Sequence, residues 1–96
     1  MDSFTLYVAL RPERPLDGAD VDALDTALRP DDDRRIWTEA DRGLLRVSTE
    51  CAAEDLAAAL ELGQSLGGEL LDACPGRLLE VGALGDEDSL VWRAVP

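Results

Sequence analysis

Residues 51–68 read Cys-Ala-Ala-Glu-Asp-Leu-Ala-Ala-Ala-Leu-Glu-Leu-Gly-Gln-Ser-Leu-Gly-Gly, and they decide how the remaining chain is interpreted. Alanine and leucine dominate this stretch, and both lose little conformational freedom in a helix. Apolar or small residues recur on one helical face every three or four positions, at Ala53, Leu56, Leu60, Gly63 and Gly67. The spacing predicts a helix that starts near Cys51, with Thr49 or a neighbour as its N-cap, and ends at Gly67-Gly68.

A helix of this length is not stable alone in water, so it needs a surface to pack against. Its small residues permit close approach to a flat partner, and a β-sheet is the natural one. The clearest strand lies at residues 4–11, where side chains alternate with a period of two. Phe4, Leu6, Val8 and Leu10 alternate with Thr5, Tyr7, Ala9 and Arg11. We therefore expect this strand to lie beneath the helix.

The other elements follow from similar patterns. A helix is predicted over 18–29, with Asp17 as N-cap and Pro30 as its end. Strands are predicted over 34–40 and 44–49, joined as an antiparallel hairpin by a turn at Gly43. Residues 69–73 fit either a short strand or a last helical turn, and strands are predicted over 78–84 and 89–95.

This order predicts an α+β fold of the ferredoxin-like βαββαβ kind, formed by residues 1–96 as a single domain with an extra C-terminal strand or hairpin. Both helices would pack on one face of an antiparallel sheet. The other face would remain open, as a binding surface or a dimer interface. The fold alone does not define a function.

Charge and composition exclude several chemistries. The net charge is −12, from nine arginines and 21 acidic residues, and the chain contains neither histidine nor lysine. Without histidine there is no Ser-His-Asp or Cys-His arrangement and no histidine-containing zinc site. Without lysine there is no Schiff-base chemistry and no P-loop. We expect no cofactor and no metal, with the acidic runs 31–33 and 86–88 as solvated turns.

The same acidity argues against nucleic acid and against anionic membrane surfaces as partners, and it favours attraction to a basic protein. No apolar run approaches the roughly 20 residues of a membrane-spanning helix. The first residues lack the basic and apolar regions of a signal peptide, so we expect a cytoplasmic protein.

The two cysteines, Cys51 and Cys74, do not have a metal-binding spacing, and a reducing compartment favours free, buried thiols. Cys51 would sit at a helix N-terminus, where the pKa of a thiol falls. Glu50 and Glu54 oppose a thiolate there, so a structural role is favoured.

The candidate binding residues are those expected on the open sheet face: Tyr7, Trp37, Arg46 and Trp92. Aromatic residues and arginine are enriched at the centres of protein interfaces. The first hypothesis is a non-enzymatic interaction domain that binds a partner protein or itself, as a homodimer. The alternative is a cofactor-independent enzyme or small-molecule carrier of the dimeric α+β barrel kind. A nucleic-acid mimic is a third hypothesis, and it rests on charge alone.

Overall fold

The computed structural model describes residues 1–94. Val95, which the sequence places at the end of the last strand, lies outside the described residues with Pro96. The elements are β1 (Asp2–Pro12), α1 (Gly18–Ala27), β2 (Arg35–Glu39), β3 (Leu44–Ala53), α2 (Leu56–Ala73), β4 (Gly76–Leu84) and β5 (Ser89–Arg93). The five strands form one antiparallel sheet in the order β2-β3-β1-β4-β5. The predicted α+β class is confirmed.

The core lies on one side of this sheet, along the even-numbered residues of β1. Val8 pairs with Val47 on β3 and with Val81 on β4, and all three side chains are almost completely buried. Val21 of α1 and Leu60 of α2 both pack against the cluster that contains them. Both helices therefore cover the same face, and we call the opposite one the open face.

The prediction that the second helix starts near Cys51 is wrong. Strand β3 continues through Cys51 to Ala53, because β1 extends back to Asp2 and supplies backbone partners over this length. Inter-strand pairing outweighs the helical preference of Ala52 and Ala53. The N-cap of α2 is Asp55, whose carboxylate accepts a hydrogen bond from the Ala58 N–H at 2.8 Å.

The predicted helix end at Gly67-Gly68 is also wrong, because both glycines lie inside α2. A Cβ atom on Gly67 would come within 3.0 Å of Leu78, and one on Gly63 within 2.8 Å of Val81. These two glycines let α2 lie close to β4, whereas Gly68 faces open space. Residues 69–73 form the last helical turn, the second of the two alternatives.

Helix α1 begins as the sequence predicts. Asp17 and Asp20 form a reciprocal capping box, with the Asp17 carboxylate accepting from the Asp20 N–H and the Asp20 carboxylate accepting from the Asp17 N–H. The helix ends at Ala27, two residues before the predicted end. The guanidinium of Arg34 donates to the carbonyl oxygens of Asp25 and Arg29 and so satisfies groups at the end of this helix.

The β2–β3 hairpin is confirmed, and Gly43 in its turn has a positive φ of 63°. The loop before it differs from a simple solvated turn. Asp31 accepts a hydrogen bond from the hydroxyl of Thr49, a buried polar residue of β3. This carboxylate therefore ties the α1–β2 loop to the sheet, while Asp32 and Asp33 are exposed.

Neither helix within residues 1–94 combines the length and the apolar character that crossing a bilayer requires.

Candidate functional site

One row of directly opposed residues crosses the open face from strand to strand. From β2 to β5 this row contains Trp37, Arg46, Ala9, Glu80 and Arg93. Directly opposed residues of antiparallel strands point to the same side. Ala9 belongs to the odd-numbered residues of β1, which point away from the helices, so the whole row lies on the open face.

Three of the four predicted binding residues lie on this face, namely Tyr7, Trp37 and Arg46. The placement of Trp92 there is wrong. Trp92 lies opposite the buried Val81, on the face that carries the helices. Strand β5 has apolar residues on both sides, so alternation could not show which side faces the helices.

Tyr7 is the centre of a polar cluster. Its ring crosses the backbone of Gly82 on β4, in the space that a side chain at position 82 would fill. Its hydroxyl donates a hydrogen bond to Glu80 Oε1 at 2.9 Å, and Arg93 Nε lies 3.8 Å from the same oxygen. Burial raises the pKa of the Tyr7 hydroxyl, and the bond to Glu80 raises it further.

A second charged cluster lies on the other side of the face. Arg46 Nε contacts Glu39 Oε1 in a close ion pair that lacks the alignment of a hydrogen bond. Arg42 of the hairpin turn approaches the other oxygen of Glu39, at 3.8 Å. Trp37, directly across from Arg46, remains 42% exposed. The face thus combines fixed charges with an exposed aromatic ring.

The open face and the remaining surface differ in charge. Its arginines outnumber its glutamates five to three, namely Arg11, Arg35, Arg46, Arg77 and Arg93 against Glu39, Glu50 and Glu80. The face therefore carries a net charge of +2, and the remaining chain carries −14 of the total −12. The overall acidity that favoured a basic partner does not belong to this face.

The surroundings of the two thiols disfavour the reactive thiolate form. Cys51 lies within β3 and not at a helix N-terminus, and burial together with the Glu50 charge raises its pKa. Cys74 is the buried C-cap residue of α2, and burial raises its pKa as well. Both cysteines are free and stay protonated near neutral pH, which agrees with a structural role.

Two clefts lie away from the open face, at opposite ends of the sheet. The first, about 460 Å³, lies beside the β1–α1 connection and is lined by Arg14, Asp20 and Cys74 among others. The second, about 810 Å³, lies between Asp55 and the acidic loop at residues 86–88. Neither brings together residues that the sequence singled out as a site.

The sequence reasoning missed Glu80, Gly82 and Arg93 as members of the open-face cluster. Gly82 carried a usable signal, because a glycine inside a strand often marks the close approach of another group. Glu80 and Arg93 carried none, since their proximity to Tyr7 depends on the strand order. No protein-family model, no curated protein and no solved structure matches this chain.

Proposed function

We propose that this chain is a small non-enzymatic interaction domain that binds a partner protein through its open sheet face. The observation that carries the proposal is the composition of that face. Trp37 is exposed, Tyr7 lies flat across the sheet, and arginines outnumber glutamates, whereas the remaining surface is strongly acidic. Tryptophan, tyrosine and arginine are the residues that contribute most binding energy in protein interfaces.

The proposal includes the ferredoxin-like assignment. The partial order β2-β3-β1-β4, with a helix between β1 and β2 and another between β3 and β4, supports that arrangement, and β5 is an additional strand. With both helices on one side, the other side is free to meet a partner.

The centre of the face is covered by polar side chains. Ala9 lies between Arg46 and Glu80 in the row and is only 3% exposed, and the Tyr7 ring covers Gly82. Val91 on β5 and Trp37 on β2 stand exposed toward the two edges. A partner could therefore find hydrogen-bonding groups at the centre of the face and apolar contacts toward its edges.

The charges indicate the chemistry of this partner. The three glutamates of the face are engaged within it: Glu39 with Arg46, Glu50 with the Thr5 hydroxyl at 2.8 Å, and Glu80 with Tyr7. Arg11 and Arg35 are exposed and belong to none of the ion pairs found among residues 1–94. A partner with carboxylates placed to meet Arg11 and Arg35 would complement them.

The test compares two exposed apolar side chains on opposite sides of the molecule. Trp37 on the open face and Leu62 on α2 are similarly exposed, at 42% and 46%. Four forms would be purified by affinity tag from the native host and examined by native mass spectrometry. They are the wild-type protein and the variants Trp37→Ala, Arg35→Glu and Leu62→Ala. We expect an acidic protein bound to wild type and to Leu62→Ala, and lost from the two open-face variants.

Retention of the same protein by all four forms would contradict the proposal, because binding would then not use the open face. Recovery of an oligonucleotide instead of a protein would contradict it as well. Far-ultraviolet circular dichroism of each variant shows whether loss of binding reflects loss of folding.

The Tyr7 cluster favours a second candidate, a cofactor-independent enzyme or small-molecule carrier of the dimeric α+β barrel kind. Two copies would enclose a pocket between their sheets, in which the Glu80 carboxylate and the Tyr7 hydroxyl could exchange a proton with a ligand. A thermal-shift screen of aromatic acids tests it. Stabilisation that disappears in Tyr7→Phe would support this function, and no shift with any compound would count against it.

A further inference from the structure

Within residues 1–94, strand β5 is an edge strand, and its outer side has no neighbouring strand. The C=O of Asp88 accepts from the Gly85 N–H, and the N–H of Ala94 donates to the Leu79 C=O, so even-numbered residues point their main chain toward β4. Main-chain direction alternates along an antiparallel strand. The N–H and C=O groups of Ser89, Val91 and Arg93 therefore point outward, away from the sheet.

The two edges of the sheet differ in how they are protected. At the other edge, β2 carries charged residues at both ends, Arg35 and Glu39, a common defence against edge pairing. Strand β5 is exposed along its whole length and has no charge from Ser89 to Trp92. An exposed apolar edge of this kind is a template for another strand.

We propose that β5 pairs edge to edge with β5 of a second copy of this chain, in antiparallel orientation about a two-fold axis at Val91. In this register Val91 faces Val91 of the second copy, and Ser89 faces Arg93. Each outward N–H meets an outward C=O, so the three exposed residues of each copy satisfy one another. The two sheets would join into one continuous sheet.

The side chains support a second copy as the occupant. Leu90, 40% exposed, would lie opposite Trp92 of the second copy, 37% exposed, on the face that carries the helices. The two Val91 side chains would meet on the open face. Three exposed apolar residues of one strand would thus all gain apolar neighbours.

Charge does not oppose this register. Arg93 would face the uncharged Ser89 of the second copy, so the pairing places no like charges directly opposite each other.

The helices leave room for this pairing. Helix α2 packs mainly on β4 and β1, which lie inward from the β5 edge. With neighbouring strands about 4.8 Å apart, two such helices would be separated by more than the roughly 10 Å diameter of a helix. Leu90 and Trp92 of both copies would fill the space between them.

The decisive variant is Val91→Pro. The Val91 N–H points away from β4, so proline there removes no hydrogen bond within the chain and is tolerated at an edge position. In the proposed dimer, this proline removes the two central N–H donors, one from each copy. Val91→Thr keeps the N–H and the β-branched shape and is the matched control. Val91→Lys, which places two positive charges opposite each other, is a second disrupting variant that leaves the backbone unchanged.

The mass of each form would be measured by light scattering between about 1 and about 100 μM. We expect a concentration-dependent dimer for wild type and Val91→Thr. For Val91→Pro and Val91→Lys we expect the dissociation constant of the dimer to be roughly a hundredfold higher. Hydrogen exchange of the wild-type Ser89, Val91 and Arg93 amides should slow as concentration rises.

A monomer at every concentration would overturn the inference, and so would a dimer of undiminished strength in both Val91→Pro and Val91→Lys. Protection of the edge amides only when an extended peptide is added would identify a different occupant and also overturn it. Trp37→Ala should leave the dimer intact, because Trp37 lies on β2 and not at the β5 edge. Loss of dimerisation through β5 can therefore be distinguished from loss of partner binding through the open face.

Discussion

The ring of Tyr7 occupies the space above Gly82 where any other residue would place its Cβ atom. Gly82→Ala must therefore displace the ring and the hydroxyl that bonds to Glu80. We expect a loss of about 1–3 kcal/mol in the free energy of unfolding, the usual cost of overpacking. Urea unfolding followed by circular dichroism measures it, and an unchanged midpoint would show that the ring moves aside without cost.

Gly68 provides the opposite case. It lies in the interior of α2, and a Cβ atom there would meet nothing within 4 Å. Gly68→Ala should stabilise the protein by about 0.5–1 kcal/mol, since alanine restricts the unfolded chain and suits a helix. The same urea experiment checks the sign. Destabilisation would mean that the helix does not continue through this position.

Alkaline pH should destabilise the folded chain through three groups. Burial raises the pKa of Tyr7 above its ordinary value of 10.0 and the pKa values of Cys51 and Cys74 above 9.0. The chain has no lysine to titrate in this range. The folded state then holds protons that the unfolded chain has released, so this stability is complete below the unfolded pKa values and falls as pH rises through the folded ones.

Urea unfolding at points from about pH 8 to about pH 11 tests this, and we expect stability to decrease throughout the upper part of the range. Tyr7→Phe should remove the share of the decrease that belongs to the hydroxyl. Absorbance titration of the single tyrosine gives an independent reading. A half-point at or below 10.0 would contradict the assigned direction.

Arg34 should contribute more to the stability of the fold than Arg14, which is also in an ion pair. Its side chain is 5% exposed, and it satisfies two carbonyl groups at the end of α1 as well as the Asp25 carboxylate. We expect Arg34→Met to lower the free energy of unfolding by about 1–3 kcal/mol, because three hydrogen bonds donated by a buried guanidinium are lost. Arg14, paired with Asp20 but 70% exposed, is the matched control.

Arg14→Met should leave the unfolding midpoint almost unchanged, because exposed ion pairs contribute little. Equal losses in the two variants would mean that burial does not determine the importance of these arginines. Thermal unfolding of both variants side by side gives the comparison.

Local signals predicted the elements whose neighbours reinforce them. The period-two pattern of β1, the Asp17 cap of α1 and the turn at Gly43 each match what the surrounding chain requires. The side of β1 that faces the core followed directly from its alternation. The placement of Tyr7, Trp37 and Arg46 on the open face followed from the same period.

Where long-range contacts decide, the sequence was insufficient. Residues 51–53 prefer a helix locally, but β1 offers them hydrogen-bond partners some fifty residues away. From the sequence alone, Gly67 predicts the end of a helix. Only the structure shows that Leu78 lies against it and that the glycine permits this close contact. Trp92 could point to either side of β5, and only the pairing with Val81 determines which.

The difference in charge between the open face and the remaining surface has a practical consequence for handling this molecule. On a positively charged resin or sensor surface, the surface outside the open face should adsorb, since it carries the −14. The sheet side would then point into solution. Electrostatic capture would thus orient every copy in the same way without a chemical linker, and high salt would release them.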